Sequence, residues 1–144
     1  MENSMRTIIA KDFNWEMGHR LPFHTGGCQN IHGHSYKLRV EIEGEPNEQG
    51  MVMDYFDMKA IVQPLVDRLD HCFLCDESDA VMRGFFEANP MNVCYVPFPT
   101  TAENIAVHLL GEMAPRFRQF PALKRLTVRV HETLRTYAEI SIDL

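Results

Sequence analysis

His32-Gly33-His34-Ser35-Tyr36-Lys37-Leu38-Arg39-Val40-Glu41-Ile42 is the stretch on which the fold turns. Side chains of an extended chain point alternately to its two faces. His32, His34, Tyr36, Leu38, Val40 and Ile42 therefore share one face, and Lys37, Arg39 and Glu41 share the other. This alternation predicts a strand over 32–43 with one side on a core and one side polar. Upstream, residues 6–19 alternate as well, with Ile8, Phe13, Trp15 and Met17 among the apolar positions, and the pattern breaks at Leu21-Pro22. The segment 22–30, with Gly26-Gly27 in it, reads as a loop that returns the chain, so the two strands form an antiparallel pair.

Working outward, 44–50 is a polar turn, Met51-Val52-Met53 reads as a short extended piece, and Asp54 is placed to cap a helix. Met58, Ile61, Val62, Leu65, Val66 and Leu69 fall on one helical stripe, with a kink expected at Pro64, whose ring nitrogen carries no hydrogen. Residues 72–99 show no clean period; 76–86 reads as a short helix and 93–99 as a short extended segment. Thr100 and Glu103 fit a capping box ahead of a helix carrying Ile105, Ala106, Leu109, Leu110 and Met113 and ending near Pro115. Leu126, Val128 and Val130, then Ala138, Ile140 and Ile142, predict a closing hairpin. The expected architecture is α+β, β-β-α-α-β-β: an antiparallel four-stranded sheet with two helices on one face. Its unpaired edges invite joining between subunits.

With 144 residues, 45% hydrophobic and 24% charged, the chain has the size and composition of one globular domain. No apolar run approaches the ~20 residues of a membrane span, and Met1-Glu2-Asn3-Ser4 lacks the basic start of an export signal. A cytoplasmic protein with no membrane partner is expected. Cys28, Cys72, Cys75 and Cys94 accordingly read as thiols or ligands rather than staples. A net charge of −6 speaks against a nucleic-acid surface and points to a small-molecule partner.

The His32-Gly33-His34 pair puts two imidazoles on one side of a strand, where they can share a metal, and His19 ends the neighbouring strand. Three imidazoles with an open fourth position describe a catalytic zinc site. Cys28, four residues before His32, is either a fourth ligand that closes the site or a thiolate beside it acting as base or nucleophile, and the residues alone leave both open. His24 lies in the same loop and reads as solvated. Asp70-His71 ends the first helix; the carboxylate can fix the imidazole tautomer, or the histidine can simply sit where the helix dipole favours it. Cys72-Phe73-Leu74-Cys75 raises a redox or structural-zinc reading with Cys94, against which stand apolar neighbours and the absence of a predicted βαβ unit. Glu132 ends the third predicted strand in register with its buried side; it is either an ordinary strand-end residue or a carboxylate that accepts two N–H bonds from a flat heterocycle.

Taken in order, Phe13-x-Trp15-x-Met17-Gly18-His19-Arg20-Leu21, Cys28-x-x-x-His32-Gly33-His34, Asp54-Tyr55-Phe56, Leu69-Asp70-His71, Thr101-Ala102-Glu103-Asn104 and Glu132-Thr133 resemble the 6-pyruvoyltetrahydropterin and 6-carboxytetrahydropterin synthase family. The likeness spans nearly the whole chain apart from 76–98, which reads as an insertion in a single pterin-synthase domain. Met17-Gly18 and Thr100 depart from the family's usual small residues and proline. The resemblance implies the tunnelling fold, assembled as a homohexamer of two trimers. It implies Zn2+ on His19, His32 and His34, with Cys28 as base and Asp70 and His71 as a second acid/base group reaching a neighbouring subunit's site. It also implies that Glu132 anchors the pterin with help from Thr101 and Glu103. The implied substrate is 7,8-dihydroneopterin triphosphate, converted to 6-carboxytetrahydropterin, acetaldehyde and triphosphate in queuosine-type synthesis. The neighbouring activity is 6-pyruvoyltetrahydropterin synthesis. Alternatives of other classes are a zinc module closed by Cys28 and a thiol protein using Cys72 and Cys75.

Overall fold

A computed structural model describes residues 5–144, so the reading of Met1 to Ser4 lies outside the described residues. β1 (Thr7–His19) and β2 (His32–Gly44) pair antiparallel along their whole length, with His19 opposite His32 and Gly18 opposite Gly33. That glycine pair lets the strand ends approach: a Cβ on Gly33 would lie 3.1 Å from the Met17 carbonyl oxygen. Phe13, Trp15 and Met17 on β1 and Tyr36, Leu38, Val40 and Ile42 on β2 are buried on one side, as the alternation requires.

Two long helices cover that side. α1 (Tyr55–Leu69) is capped by Asp54, whose carboxylate accepts from Phe56 N, and runs through Pro64 with Met58, Ile61, Val62, Val66 and Leu69 inward. α3 (Ala102–Phe117) extends past Pro115, two residues beyond the expected stop. Its cap is Thr101, accepting from Asn104 N, and not the expected Thr100 box, because Thr100 is wholly buried and bonded elsewhere. Met51-Val52-Met53 is a bend rather than a strand, with Val52 and Met53 sunk in the core. β5 (Leu123–His131) and β6 (Tyr137–Asp143) form the closing hairpin, β5 beside β2.

The sheet has six strands, ordered β4-β3-β1-β2-β5-β6, and is mixed rather than a four-stranded antiparallel one. Segment 72–96 supplies the difference: β3 (Cys72–Asp76), α2 (Ala80–Ala88) and β4 (Val93–Val96) make a parallel βαβ unit beside β1. Cys72-Phe73-Leu74-Cys75 is an unbroken apolar run because a parallel strand is covered on both faces, so it shows no alternation. β3 meets β1 only at Met17 and Gly18, leaving the outer edge of β1 from Thr7 to Glu16 without a second strand. Among the described residues β4 and β6 are the end strands of the sheet. Among the described residues no helix is long and apolar enough to cross a membrane.

Candidate active site

Because β1 and β2 end together, His19, His32 and His34 converge at one corner of the sheet, under the start of α3. One ligand atom from each lies within 4.8 Å of the other two. The ring centroids stand 4.6, 5.1 and 4.9 Å apart. Two of the three rings have their other nitrogen held by main chain. His19 Nδ1 donates to the Thr100 carbonyl at 2.8 Å and lies 3.1 Å from Thr100 Oγ1, and His32 Nδ1 donates to the Asn30 carbonyl at 2.7 Å. An Nδ1–H bonded to a carbonyl leaves Nε2 as a lone pair. Among the described residues, Nε2 of His19 and of His34 are buried without a hydrogen-bond partner. Burial, against the opposing pull of the Glu132 carboxylate and with help from His19 and His32, holds the His34 imidazole below its ordinary pKa, which favours the neutral, ligating form. An orphaned pair of buried ring nitrogens in an all-imidazole donor set fits a zinc-type cation with an open position.

Glu132, the first residue after β5, brings Oε2 to 3.0 Å from His34 Nε2 and 3.4 Å from His19 Nε2. Burial pushes its carboxyl up, but the adjoining imidazoles, His19 first and then His34 and His32, outweigh it, so the group lies below the usual carboxylate range and is ionised. Two cavities meet at this carboxylate. One, of about 310 Å³, is lined by Ala102, Glu103 and residues 136–140; the other, of about 500 Å³, by His34, Lys37, His131 and Leu134. Glu103 thus faces the same space as Glu132, while the Thr101 hydroxyl oxygen is engaged as the α3 cap.

Cys28 is half-buried in a 3-10 turn (Gly27–Gln29) of the 20–31 loop, its carbonyl accepting from Leu21 N at 2.7 Å. It is not among the ligand atoms that meet at the cluster. His24 is exposed, its Nδ1 accepting from Gly26 N.

Asp70 and His71 do face each other, with Nδ1 and Oδ1 2.9 Å apart, but both are open to solvent. His71 has φ 61°, the left-handed conformation that ends helices and favours glycine. It is pinned there by its N–H on the Glu16 carbonyl at 2.6 Å and by Asn92 Nδ2 on its own carbonyl at 3.2 Å. Glu16 N donates to Asp70 at 2.9 Å and, with His71 close by, holds that carboxyl below its ordinary value. His71 borders a groove with Glu16, Gly18, Gly33 and Ser35, which also touches Met17 and His34. Glu16 and Gly18 alternate away from Met17 and His19, so residues of both faces line this groove at the strand ends.

The CxxC reading fails on geometry. A βαβ unit is present, contrary to expectation, but both cysteines lie on β3 itself, three residues apart and so on opposite faces. Burial pushes Cys75 up to about 11 and Cys72 up to about 12, away from thiolate chemistry.

Two contributors escaped the sequence reading. Thr100, read as a cap, instead fixes the His19 ring. Tyr36 packs edge-on against His34 at 5.4 Å and stacks on Trp15 at 5.1 Å, forming the floor of the cluster, with its phenol raised by burial. Tyr36 was legible as the next inward position after His34 on the strand.

The architecture is that of the tunnelling-fold proteins. A Wolinella succinogenes protein of solved structure superposes with TM-score 0.81 at 23% identity, covering 95% of this chain and 98% of that one. Plasmodium vivax 6-pyruvoyl tetrahydropterin synthase superposes with TM-score 0.76 at 17% identity, covering 98% and 100%. The sequence profile of 6-pyruvoyl tetrahydropterin synthase matches residues 8–143, and the chain belongs to that family. It is similar to the 6-carboxy-5,6,7,8-tetrahydropterin synthase of Haemophilus influenzae, 36% identical over 139 residues that cover 91% of this chain and 96% of the relative. A putative 6-carboxy-5,6,7,8-tetrahydropterin synthase of Archaeoglobus fulgidus is 34% identical over 140 residues, covering 97% and 98%.

Proposed function

We propose that the protein is a zinc-dependent 6-carboxy-5,6,7,8-tetrahydropterin synthase. It takes 7,8-dihydroneopterin triphosphate to 6-carboxytetrahydropterin, acetaldehyde and triphosphate, as a cytoplasmic homohexamer in queuosine-type deazapurine synthesis. The observation that carries the reading is the cluster of three imidazoles, two of them with Nδ1 committed to a carbonyl, converging on one point. The two relatives bearing the 6-carboxy name support the choice of product.

In this reading His19, His32 and His34 hold zinc, which when bound supplies Lewis acidity toward the substrate's side-chain hydroxyls. Cys28 removes a carbon-bound proton. Asp70 orients His71, and the pair moves the second proton in the site of an adjoining subunit, a role that its exposure in its own chain supports. Glu132 accepts paired N–H bonds from the pterin ring, with Thr101 and Glu103 at the same end. The open edge of β1 and the β6 edge are the surfaces along which subunits close a ring.

The test is turnover of 7,8-dihydroneopterin triphosphate by zinc-loaded protein, with acetaldehyde trapped and the pterin identified by mass. Equimolar acetaldehyde and 6-carboxytetrahydropterin are expected. A 6-pyruvoyl product without acetaldehyde would replace this activity with its neighbour, and no release of triphosphate would overturn both.

A further inference from the structure

Besides Asn92, which holds the His71 carbonyl, the segment 72–99 sends a second side chain toward the site. Asp79 caps α2, accepting from Met82 N, and its carboxylate is only 4% exposed. Arg20, the residue after His19, holds that carboxylate with two bonds of 2.7 Å each, Nε to Oδ2 and Nη2 to Oδ1. The fork's third nitrogen, Nη1, reaches the Gln29 carbonyl at 3.4 Å, in the turn that carries Cys28. Behind it, the Arg20 carbonyl accepts from Thr100 Oγ1 at 3.3 Å, and Thr100 holds His19. One guanidinium therefore touches the α2 cap and the Cys28 turn, while its main chain joins the bond series that orients His19.

We propose that Arg20 and Asp79 form a clamp by which the β3–α2–β4 segment positions the Cys28 turn against the histidine cluster. Arg20 is a positioning residue, not a catalytic one: its donors are consumed by Asp79 and Gln29. The planar fork suits the task because it binds both carboxylate oxygens in one orientation, which a lysine point charge cannot do. Each member holds the other ionised. The bond to Asp79 leads in raising Arg20, and the bond from Arg20 leads in lowering Asp79. Buried paired charges of this kind are used to fix one geometry rather than to add stability.

The kinetic readout rests on the proposed function; a chemical readout does not. Arg20→Lys, Asp79→Asn and the double variant are compared with wild type as zinc-loaded protein. Each single substitution should lower kcat by ~10–100-fold, the cost of misplacing a reacting group by about an ångström, with zinc content and KM held within about twofold. The double variant should be no worse than the poorer single one, because both remove the same clamp. Independently, iodoacetamide labelling of Cys28, followed by peptide mass, should speed up several-fold in each single variant, and hydrogen exchange at Leu21 N–H, which is bonded to the Cys28 carbonyl, should rise with it. Asp79→Glu keeps the charge and should recover most of the wild-type labelling rate. Unchanged labelling and exchange in both single variants, or strictly multiplicative losses in the double one, would overturn the clamp. If wild type turns nothing over, the proposed function falls and the labelling rates alone decide the clamp.

Discussion

At the histidine corner, His19 is 1% exposed and its ring is tied to main chain; at the end of α1, the His71 side chain is 76% exposed on a backbone twisted to φ 61°. Both places gather imidazole and carboxylate, but only the first is enclosed. The corner is over-determined: paired strands set the spacing, Thr100 and Asn30 carbonyls set the tautomers, and Tyr36 fills the floor. The α1 end holds a strained residue whose ring stands in solvent beside the Asp70 carboxylate. Strain kept at a solvent-facing histidine, where glycine would fit better, is what the proposed role of this pair in an adjoining subunit's site accounts for.

The largest expected effect breaks the first half of this comparison. His34→Ala should lower zinc affinity by more than the ~100-fold typical of an outer-shell loss, read by metal analysis after dialysis against a competing chelator. Retention of full zinc by His34→Ala, with loss in Cys72→Ala, would put the metal elsewhere. Next, Cys28→Ala should keep its zinc and lose ~10²–10⁴-fold in turnover, the share of a general base. Loss of zinc in that variant would instead make the site a closed Cys-His₃ module.

The second half is sharpened at His71. A left-handed backbone costs a non-glycine residue ~1–2 kcal/mol, while glycine gives back ~0.5–1 kcal/mol through its freer unfolded chain. His71→Gly should thus match or exceed wild type in thermal stability while turnover collapses, and His71→Ala should lose both. A His71→Gly protein that melted far below wild type would mean that the histidine is held for stability.

The smallest effect concerns the Arg20–Asp79 pair. Asp79 lies below its ordinary 3.8 when folded, so its contribution is present above that value and is lost as pH falls through the lower, folded one. Wild type should exceed Asp79→Asn by ~1–3 kcal/mol near neutrality, and the gap in Tm should close on acidification below about pH 4. A gap independent of pH would show that the carboxylate's charge contributes nothing.

The two regions were also unequally legible. Alternation in His32-Gly33-His34 and the strand break after His19 were enough to bring three imidazoles together, because two-residue periodicity fixes side-chain direction without knowledge of the rest of the fold. Asp70-His71 could be read as a pair, but not its positive φ, which depends on Glu16 of a distant strand and on Asn92. Of the β3–α2–β4 unit, the helix and the extended piece at 93–99 were legible, but β3 and the parallel pairing were not, because a strand covered on both faces carries no polar alternation. Asp79 was invisible as a site residue because its partner lies 59 positions away.

The claim that one subunit supplies the metal corner and Cys28 while another supplies Asp70 and His71 has a direct measurement. Cys28→Ala and His71→Ala proteins, each inactive alone, are dissociated, mixed in equal amounts and reassembled, with mixing verified by native mass. Random mixing places an intact Cys28 opposite an intact His71 in about a quarter of shared sites, so activity should return toward that fraction of wild type. Verified mixed oligomers with no recovered activity would contradict the shared site.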